Sequence, residues 1–144
     1  MGDEGIGNYL IDILAARAEE YADVDFIDAG TGGMALLHLI EGREQALIVD
    51  CAYMGTEAGT IRKFGLEEIK SVKNLAHYSL HEADIIKIVE MAQQLGQCPP
   101  QITIFGIEPE CVKLQPQLSK TLMSQMDIYI KQIIKELAEL CSAN

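Results

Sequence analysis

Hydrophobic positions recur along this chain at two spacings, one typical of helices and one typical of strands. Apolar side chains three or four positions apart predict helices at 6–21, 32–42 and 79–96, and a long final helix after Ser119. Short apolar runs, most of them ended by glycine or proline turns, predict strands within 23–30, 45–52, 59–65 and 99–110.

Several residues are placed to begin or end these helices. Ser79 and Glu82 have the spacing of a capping box at the start of the third helix, and Gly96 is placed to end it. Ser119 is placed to cap the final helix. The sequence therefore marks its two longest helices at their N-termini.

Strands and helices alternate, which is the order typical of an α/β protein. The pattern predicts a three-layer sandwich, in which a mostly parallel, twisted sheet carries helices on both faces. We expect residues 1–144 to form one domain, because this length suffices for one hydrophobic core and no linker interrupts it. In such a sheet, ligands bind beyond the carboxyl ends of the strands.

The composition narrows the classes of function. The formal net charge is −11, so the surface repels phosphate backbones and nucleic acid is not an expected partner. No apolar run approaches the roughly 18 residues of a membrane span, so we expect no membrane partner and a cytoplasmic protein. The four cysteines include no CxxC pair, which disfavours a zinc ribbon and a disulfide framework.

Four polar residues are predicted to lie at the carboxyl edge of the sheet: Glu4, Asp28, Asp50 and His81. Three of them also have a structural interpretation. Asp28 is placed to cap the following helix, Glu4 to favour a positive helix N-terminus, and His81 to be a surface residue. Asp50 ends a strand that is predicted to be buried, where a carboxylate is costly unless it is paired or liganded, so a functional role is favoured.

Two carboxylates with one imidazole suit a borderline divalent metal such as nickel, zinc, cobalt or iron, with open positions for water or substrate. The helix dipole at His81 favours the neutral imidazole, which is the form that binds metal. Glu108 and Glu110 follow the last strand at the same edge, and we expect both to be solvated loop residues. These residues therefore indicate a candidate metal site.

Six segments of the chain form a recognisable series. In chain order they are "GDEGIG" (2–7), "DAGTGGMALL" (28–37), "LIVDCAYMGTEAGTI" (47–61), "SLHEADI" (79–85), "FGIEPE" (105–110) and "LS" (118–119). Together they resemble the hydrogenase maturation endopeptidases, which trim the C-terminus of the nickel–iron hydrogenase large subunit. Ala58 stands where the family's turn after the Asp-ending strand has proline. The resemblance spans essentially the whole chain.

The resemblance implies that Glu4, Asp50 and His81 bind nickel. This nickel would be carried by the substrate precursor, and zinc or cadmium would take its place in a crystal. It implies an endopeptidase that removes the C-terminal propeptide of a nickel–iron hydrogenase large subunit after nickel insertion. The alternative is a binding module of the same fold that recognises the metallated precursor without cutting it. A nucleotide-binding domain is disfavoured, because the glycine segment lacks Rossmann and P-loop spacing.

The chemistry is expected to be attack by water. The sequence contains neither a nucleophile elbow nor a His-Glu-x-x-His helix. Cys51 would face the carboxylate of Asp50, which opposes thiolate formation. Nickel would polarise the scissile carbonyl or lower the pKa of a bound water. Asp28 or Asp50 would act as the general base.

The start of the chain departs from the family that it resembles. Members of that family have a leading strand before the acidic turn, and "MGDEGIG" resembles the end of the connection after that strand. We therefore expect the N-terminal strand to be missing and Glu4 to be poorly fixed. We expect the chain to compensate for the missing strand in one of three ways. The neighbouring strands close the gap, a strand is swapped between copies, or two copies form a dimer through the exposed sheet edge.

Overall fold

The computed structural model describes residues 2–30, 34–68, 80–110 and 117–142, and only the backbone of 80–84 within them. The helices are α1 (Ile6–Ala15), α2 (Met34–Ile40), α3 (Leu80–Gln94), α4 (Lys120–Ser124) and α5 (Met126–Ser142). The strands are β1 (Gln45–Cys51), β2 (Ile61–Gly65) and β3 (Gln101–Ile107). Short 3-10 turns lie at Gly2–Gly5, here called the N-terminal turn, and at Ala18–Glu20. Within these ranges, every helix is too short or too polar to cross a membrane.

The three strands form one sheet in the order β1, β3, β2. β1 runs parallel to β3, with Asp50 opposite Gly106, whereas β2 runs antiparallel to β3, with Lys63 opposite Phe105. The α/β class and the strands predicted at 45–52, 59–65 and 99–110 are therefore confirmed. Among the described strands, the predicted parallel arrangement holds for the β1–β3 pair, while β2 makes the sheet mixed.

Helices cover both faces of the sheet, as the three-layer prediction requires. On one face the core joins α1 and α5 to the strands, with Leu10, Ile133 and Phe105 buried together. On the other face α2 and α3 pack on the sheet, with Val89 and Ile102 in the core. Because successive strand residues point to opposite faces, β3 sends its apolar side chains into both cores.

The strand predicted at 23–30 is wrong, since this segment forms no ladder with any described strand. Its aspartates bind other groups instead. A carboxylate oxygen of Asp28 accepts the N–H of Gly30 at 2.8 Å, and Asp25 forms an ion pair with Arg43 at 2.8 Å. The bond from Asp28 to the backbone two residues away is of the local kind that competes with strand pairing. The apolar side chains of the segment still pack against the core, which explains the hydrophobic pattern.

The ends of the predicted helices are partly confirmed. α3 ends at Gln94, just before Gly96, whose φ of 70° lies in the left-handed region that glycine favours. Ser79 and the side chain of Glu82 lie outside the described residues, so the capping box stays a prediction. The first helix ends at Ala15, earlier than its hydrophobic spacing predicts.

The predicted final helix is interrupted near its start. Ser119 caps α4 as predicted, because its side-chain oxygen accepts the N–H of Leu122 at 3.3 Å. At Gln125 the backbone departs from helical geometry, with φ −100° and ψ 1°, and α5 begins at the next residue. α4 and α5 are therefore separate helices.

β1 is less buried than its apolar sequence predicts. Residues 45–50 are half-buried, and Cys51 alone in this strand is buried. Among the described strands, β1 pairs with β3 only, so it lies at the edge of this sheet. The side of an edge strand that has no neighbouring strand stays partly exposed to solvent, even where helices cover the two faces of the sheet. Asp50, near the end of β1, is accordingly half-buried.

The start of α1 lies directly against the end of β1. A Cβ atom at Gly7 would lie 2.5 Å from the carbonyl oxygen of Val49 and 3.7 Å from the Cα of Asp50. A side chain at this position has no room, so the two backbones approach closely only because residue 7 is glycine. Gly7 therefore sets α1 against the strand that carries Asp50.

We expect Gly7→Ala to lower the free energy of unfolding by about 1–3 kcal/mol, because the added methyl group meets a backbone carbonyl. The loss should outweigh the better helix propensity of alanine. Gly65→Ala is the matched control, since a Cβ at Gly65 meets nothing within 4 Å. Urea unfolding followed by circular dichroism measures both changes. A Gly7→Ala protein as stable as its parent would contradict the close contact.

Candidate functional site

The N-terminal turn is anchored by a buried carboxylate. Asp3 is 1% exposed. One of its oxygens accepts the N–H of Ser119 at 2.7 Å, and the other accepts the N–H of Glu110 at 2.9 Å. These bonds tie the turn to the loop after β3 and to the residue that caps α4. The expectation that Glu4 lies in a poorly fixed segment is therefore wrong for the backbone of this turn.

Glu4 lies between two fixed points of the chain. Asp3 precedes it, and Gly7, three residues later, rests on the backbone of Val49 and Asp50. The N-terminal turn also contacts β1 directly. The Glu4 side chain is exposed. The structure thus places Glu4 and Asp50 at the same edge of the sheet.

Asp50 lies at the carboxyl end of β1, where its side chain is held by its own neighbour. One carboxylate oxygen accepts the N–H of Cys51 at 2.8 Å. Cys51 is buried and forms no disulfide, which agrees with a structural rather than a nucleophilic cysteine. Asp50 is therefore a half-buried carboxylate with a defined orientation at the sheet edge.

Asp28 is linked to the helix that follows the acidic turn. Its two oxygens accept from the side-chain amide of Asn8 at 3.1 and 3.2 Å, and one of them also accepts the N–H of Gly30. Asn8 belongs to α1, so Asp28 is held near the N-terminal part of that helix. The alternative role of capping the next helix falls on 31–33, which lie outside the described residues.

The expectation that Glu108 is a solvated loop residue is wrong. Glu108 is 6% exposed, and one carboxylate oxygen accepts the N–H of Met54, the N–H of Thr56 and the hydroxyl of Thr56 at 2.9–3.0 Å. A buried carboxylate needs such donors because it has lost its water. Glu110 is exposed, as expected.

Glu108 holds the loop after β1 at both ends. Its side chain binds the first part of the loop, which follows Asp50. Its backbone N–H donates to the carbonyl of Thr60, and its carbonyl accepts the N–H of Gly59, both at 2.8 Å. The loop 52–60 is therefore fixed to the end of β3, beside the candidate site.

Tyr129 connects this loop to the helical layer. It is fully buried, and its hydroxyl donates to the carbonyl of Gly59 at 2.6 Å. Burial, and to a lesser extent the negative charge of Asp3, raise the pKa of Tyr129 to about 12. The phenol therefore stays protonated and acts as a hydrogen-bond donor.

The predicted metal ligands are Glu4, Asp50 and His81. His81 lies in the first turn of α3, as predicted, but its side chain is outside the described residues. Among the side chains that the structure describes, no three of His, Cys, Asp and Glu are grouped to hold a metal ion. The metal-binding role of the three residues stays a prediction.

Sequence reasoning missed two residues that build this edge. Glu108 follows a buried strand directly, so the argument that favoured a role for Asp50 applies equally to Glu108. Asp3 is adjacent to Glu4, but its partners are backbone groups 107 and 116 positions away. No local pattern identifies backbone donors at such a distance.

The chain matches a sequence profile described as hydrogenase maturation protease over residues 9–136. It is 27% identical over 136 residues to the hydrogenase expression/formation protein HupD of Rhodobacter capsulatus, a match that covers 94% of this chain and 65% of that protein. It is 32% identical over 108 residues to HoxM of Cupriavidus necator, covering 75% of this chain and 54% of that protein. The chain therefore spans less than two thirds of the length of either relative.

The fold is also similar to a solved structure. The hydrogenase maturating endopeptidase HybD from E. coli superimposes with a TM-score of 0.81 at 22% sequence identity. The superposition covers 96% of this chain and 86% of the E. coli protein. At this level of identity the similarity is one of fold.

We expect Glu108→Ala to lower the free energy of unfolding by about 2–4 kcal/mol, because two backbone amides of the loop 52–60 lose a charged acceptor. Glu110→Ala removes an exposed carboxylate two residues away and serves as the matched control. Its effect should lie within about 0.5 kcal/mol. Urea unfolding of both variants measures the difference, and equal small effects would contradict the buried hydrogen bonds of Glu108.

We expect part of the stability to be lost as the pH rises from 10 to about 12. The folded protein raises the pKa of Tyr129, so unfolded chains ionise this phenol first and the contribution disappears through this window. Thermal unfolding at a series of alkaline pH values measures the loss. Tyr129→Phe should show a smaller decline, whereas Tyr9→Phe, which changes an exposed tyrosine, should decline like the parent. An identical pH dependence in Tyr129→Phe would contradict this assignment.

Proposed function

We propose that this chain, which belongs to the hydrogenase maturation protease family, is an endopeptidase that removes the C-terminal propeptide of a nickel–iron hydrogenase large subunit after nickel insertion. The observation that carries the proposal is the match of residues 9–136 to that family. The names of its relatives, which are hydrogenase formation proteins and a maturating endopeptidase, support it.

The proposed substrate is the precursor with nickel already in place, which Glu4, Asp50 and His81 bind. Two carboxylates and an imidazole are donors that suit nickel, and zinc or cadmium would bind the same set. The support for this trio is positional. The turn that carries Glu4 rests against the strand that carries Asp50, and His81 lies in the first turn of α3.

Hydrolysis of the propeptide bond requires a base that accepts the proton of the attacking water. When present in the precursor, nickel would polarise the scissile carbonyl or lower the pKa of a bound water. This chain supplies two carboxylates for the proton, Asp28 and Asp50. Asp28 is oriented by Asn8 and by a backbone N–H, which keeps its oxygens in one position. The buried thiol of Cys51 takes no part.

We assign the reaction to the cytoplasm, with the large-subunit precursor as the partner. The described cysteines, Cys51, Cys98 and Cys141, form no disulfide, which supports a reducing compartment. The formal net charge of −11 argues against nucleic acid as a second partner.

We expect Asp50→Asn to slow cleavage of nickel-loaded precursor by about a hundredfold or more. If Asp28 is the general base, Asp28→Asn should slow cleavage by a similar factor. Release of the propeptide, followed over time by mass spectrometry, measures the rate. Asp23→Asn changes an exposed carboxylate of the same loop as Asp28 and should cleave like the parent.

Full activity in both Asp28→Asn and Asp50→Asn would remove these carboxylates from the chemistry. Precursor that is bound by the parent chain but never cleaved would instead favour the non-cleaving binding module. The cleavage assay with a parallel pull-down of precursor therefore separates the two functions.

We expect His81→Ala to weaken nickel binding by about tenfold or more, because one of three donors is lost. Isothermal titration of the chain with a nickel salt measures the affinity. His38→Ala is the matched control, since His38 is an exposed histidine of α2 on a different element. Equal affinities of the parent and His81→Ala would contradict the proposed ligand set.

A further inference from the structure

Asp3 is the most deeply buried carboxylate among the described residues. Taking a carboxylate out of water is costly unless donors replace the water, and here two backbone amides do so. One oxygen accepts from Ser119 at 2.7 Å and the other from Glu110 at 2.9 Å. Each oxygen therefore holds a different segment of the chain.

These two bonds define where the N-terminal turn lies. Glu110 belongs to the loop at the carboxyl end of β3, and Ser119 caps α4. Asp3 joins both to the turn, although they are 107 and 116 positions away along the chain. The turn is thereby tied to the edge of the sheet.

The other side of the turn is tied to β1. Gly7 allows α1 to rest on the carbonyl of Val49 and close to the Cα of Asp50. Glu4 lies between this contact and Asp3, so a shift of its backbone away from Asp50 would strain one of the two. Asp3 and Gly7 act together as two fixed ends of the segment that carries Glu4.

We infer that Asp3 is a positioning residue, which fixes Glu4 relative to Asp50 so that both carboxylates reach the metal of the substrate. This inference rests on the proposed function, since it uses the proposed ligands. Asp3 itself touches neither metal nor substrate. Its effect on metal binding passes entirely through Glu4.

The choice of aspartate supports this role. A carboxylate offers an acceptor oxygen to each of the two amides at once. Asparagine has the same size but one acceptor oxygen, so its NH₂ group would face one of the two N–H donors. Asp3→Asn therefore releases one of the two segments while it leaves the packing volume nearly unchanged.

A double-mutant cycle on cadmium affinity tests the inference, with cadmium chloride as the probe in isothermal titration. Asp3→Asn should weaken binding by about tenfold or more, the size found when a group that orients a metal ligand is removed. In the Glu4→Gln background, the same Asp3→Asn change should have no further effect, because the ligand that Asp3 positions is already lost. An equal effect of Asp3→Asn in both backgrounds would overturn the inference.

Tyr129→Phe is the control for general loosening. It removes a buried hydrogen bond in the same region, that of the Tyr129 hydroxyl to Gly59, and keeps the Asp3 carboxylate with its two backbone donors. Cadmium affinity should be unchanged in this variant although its stability is reduced. A loss equal to that in Asp3→Asn would show a structural effect only and would overturn the positioning role.

Removal of a donor gives a second route if Asp3→Asn does not fold. Ser119→Pro deletes the N–H that donates to Asp3, and the φ of −62° at Ser119 already suits proline. Ser119→Ala loses only the side-chain cap of α4 and keeps this N–H. Ser119→Pro should weaken cadmium binding more than Ser119→Ala does, and equal affinities would overturn the inference.

The parent chain distinguishes this inference from the function on which it rests. A parent that binds no cadmium would overturn the proposed ligand set, and the role of Asp3 with it. A parent that binds cadmium as tightly as Asp3→Asn does would overturn the positioning role alone and leave the proposed function intact.

Discussion

A buried carboxylate must be given hydrogen-bond donors, and this requirement determines how the carboxyl edge of this sheet is built. Asp3 and Glu108 are both almost fully removed from water, and each meets backbone amides of segments distant in sequence. Loss of these donors would leave an uncompensated charge, which is among the most destabilising changes a core can suffer. The N-terminal turn, the loop 52–60 and the start of α4 are therefore held around the sheet edge by the same physical requirement.

This arrangement separates two tasks among acidic residues that look alike in the sequence. Asp3 and Glu108 are buried and bind backbone groups, so they determine where loops lie. Glu4 is exposed, and Asp50 is half-buried. The first pair builds the edge, and the second pair contains two of the proposed metal ligands. Acidic residues that are neighbours in the sequence, such as Asp3 and Glu4, therefore differ strongly in burial.

The sequence predicted the α/β class, three of the strands and the cap at Ser119, because hydrophobic spacing and capping depend on neighbouring residues. It failed at 23–30, where the apolar side chains pack on the core but no ladder forms, Asp28 binds the backbone of Gly30 and Asp25 pairs with Arg43. It also missed the anchoring by Asp3, whose partners are backbone groups far along the chain. The positions of Glu4 and Asp50 at one edge, and of His81 in the first turn of α3, followed from topology and helix spacing.

The contact between Gly7 and the carbonyl of Val49 has a consequence for how this edge tolerates mutation elsewhere. Side-chain layers between elements change thickness when core residues are exchanged, and the elements drift apart or together accordingly. At Gly7 no side chain lies between the helix and the carbonyl of Val49, so the radii of backbone atoms limit how close the two elements come at this point. The distance from the acidic turn to the end of β1 therefore depends less on the size of core side chains than the spacing between other elements does.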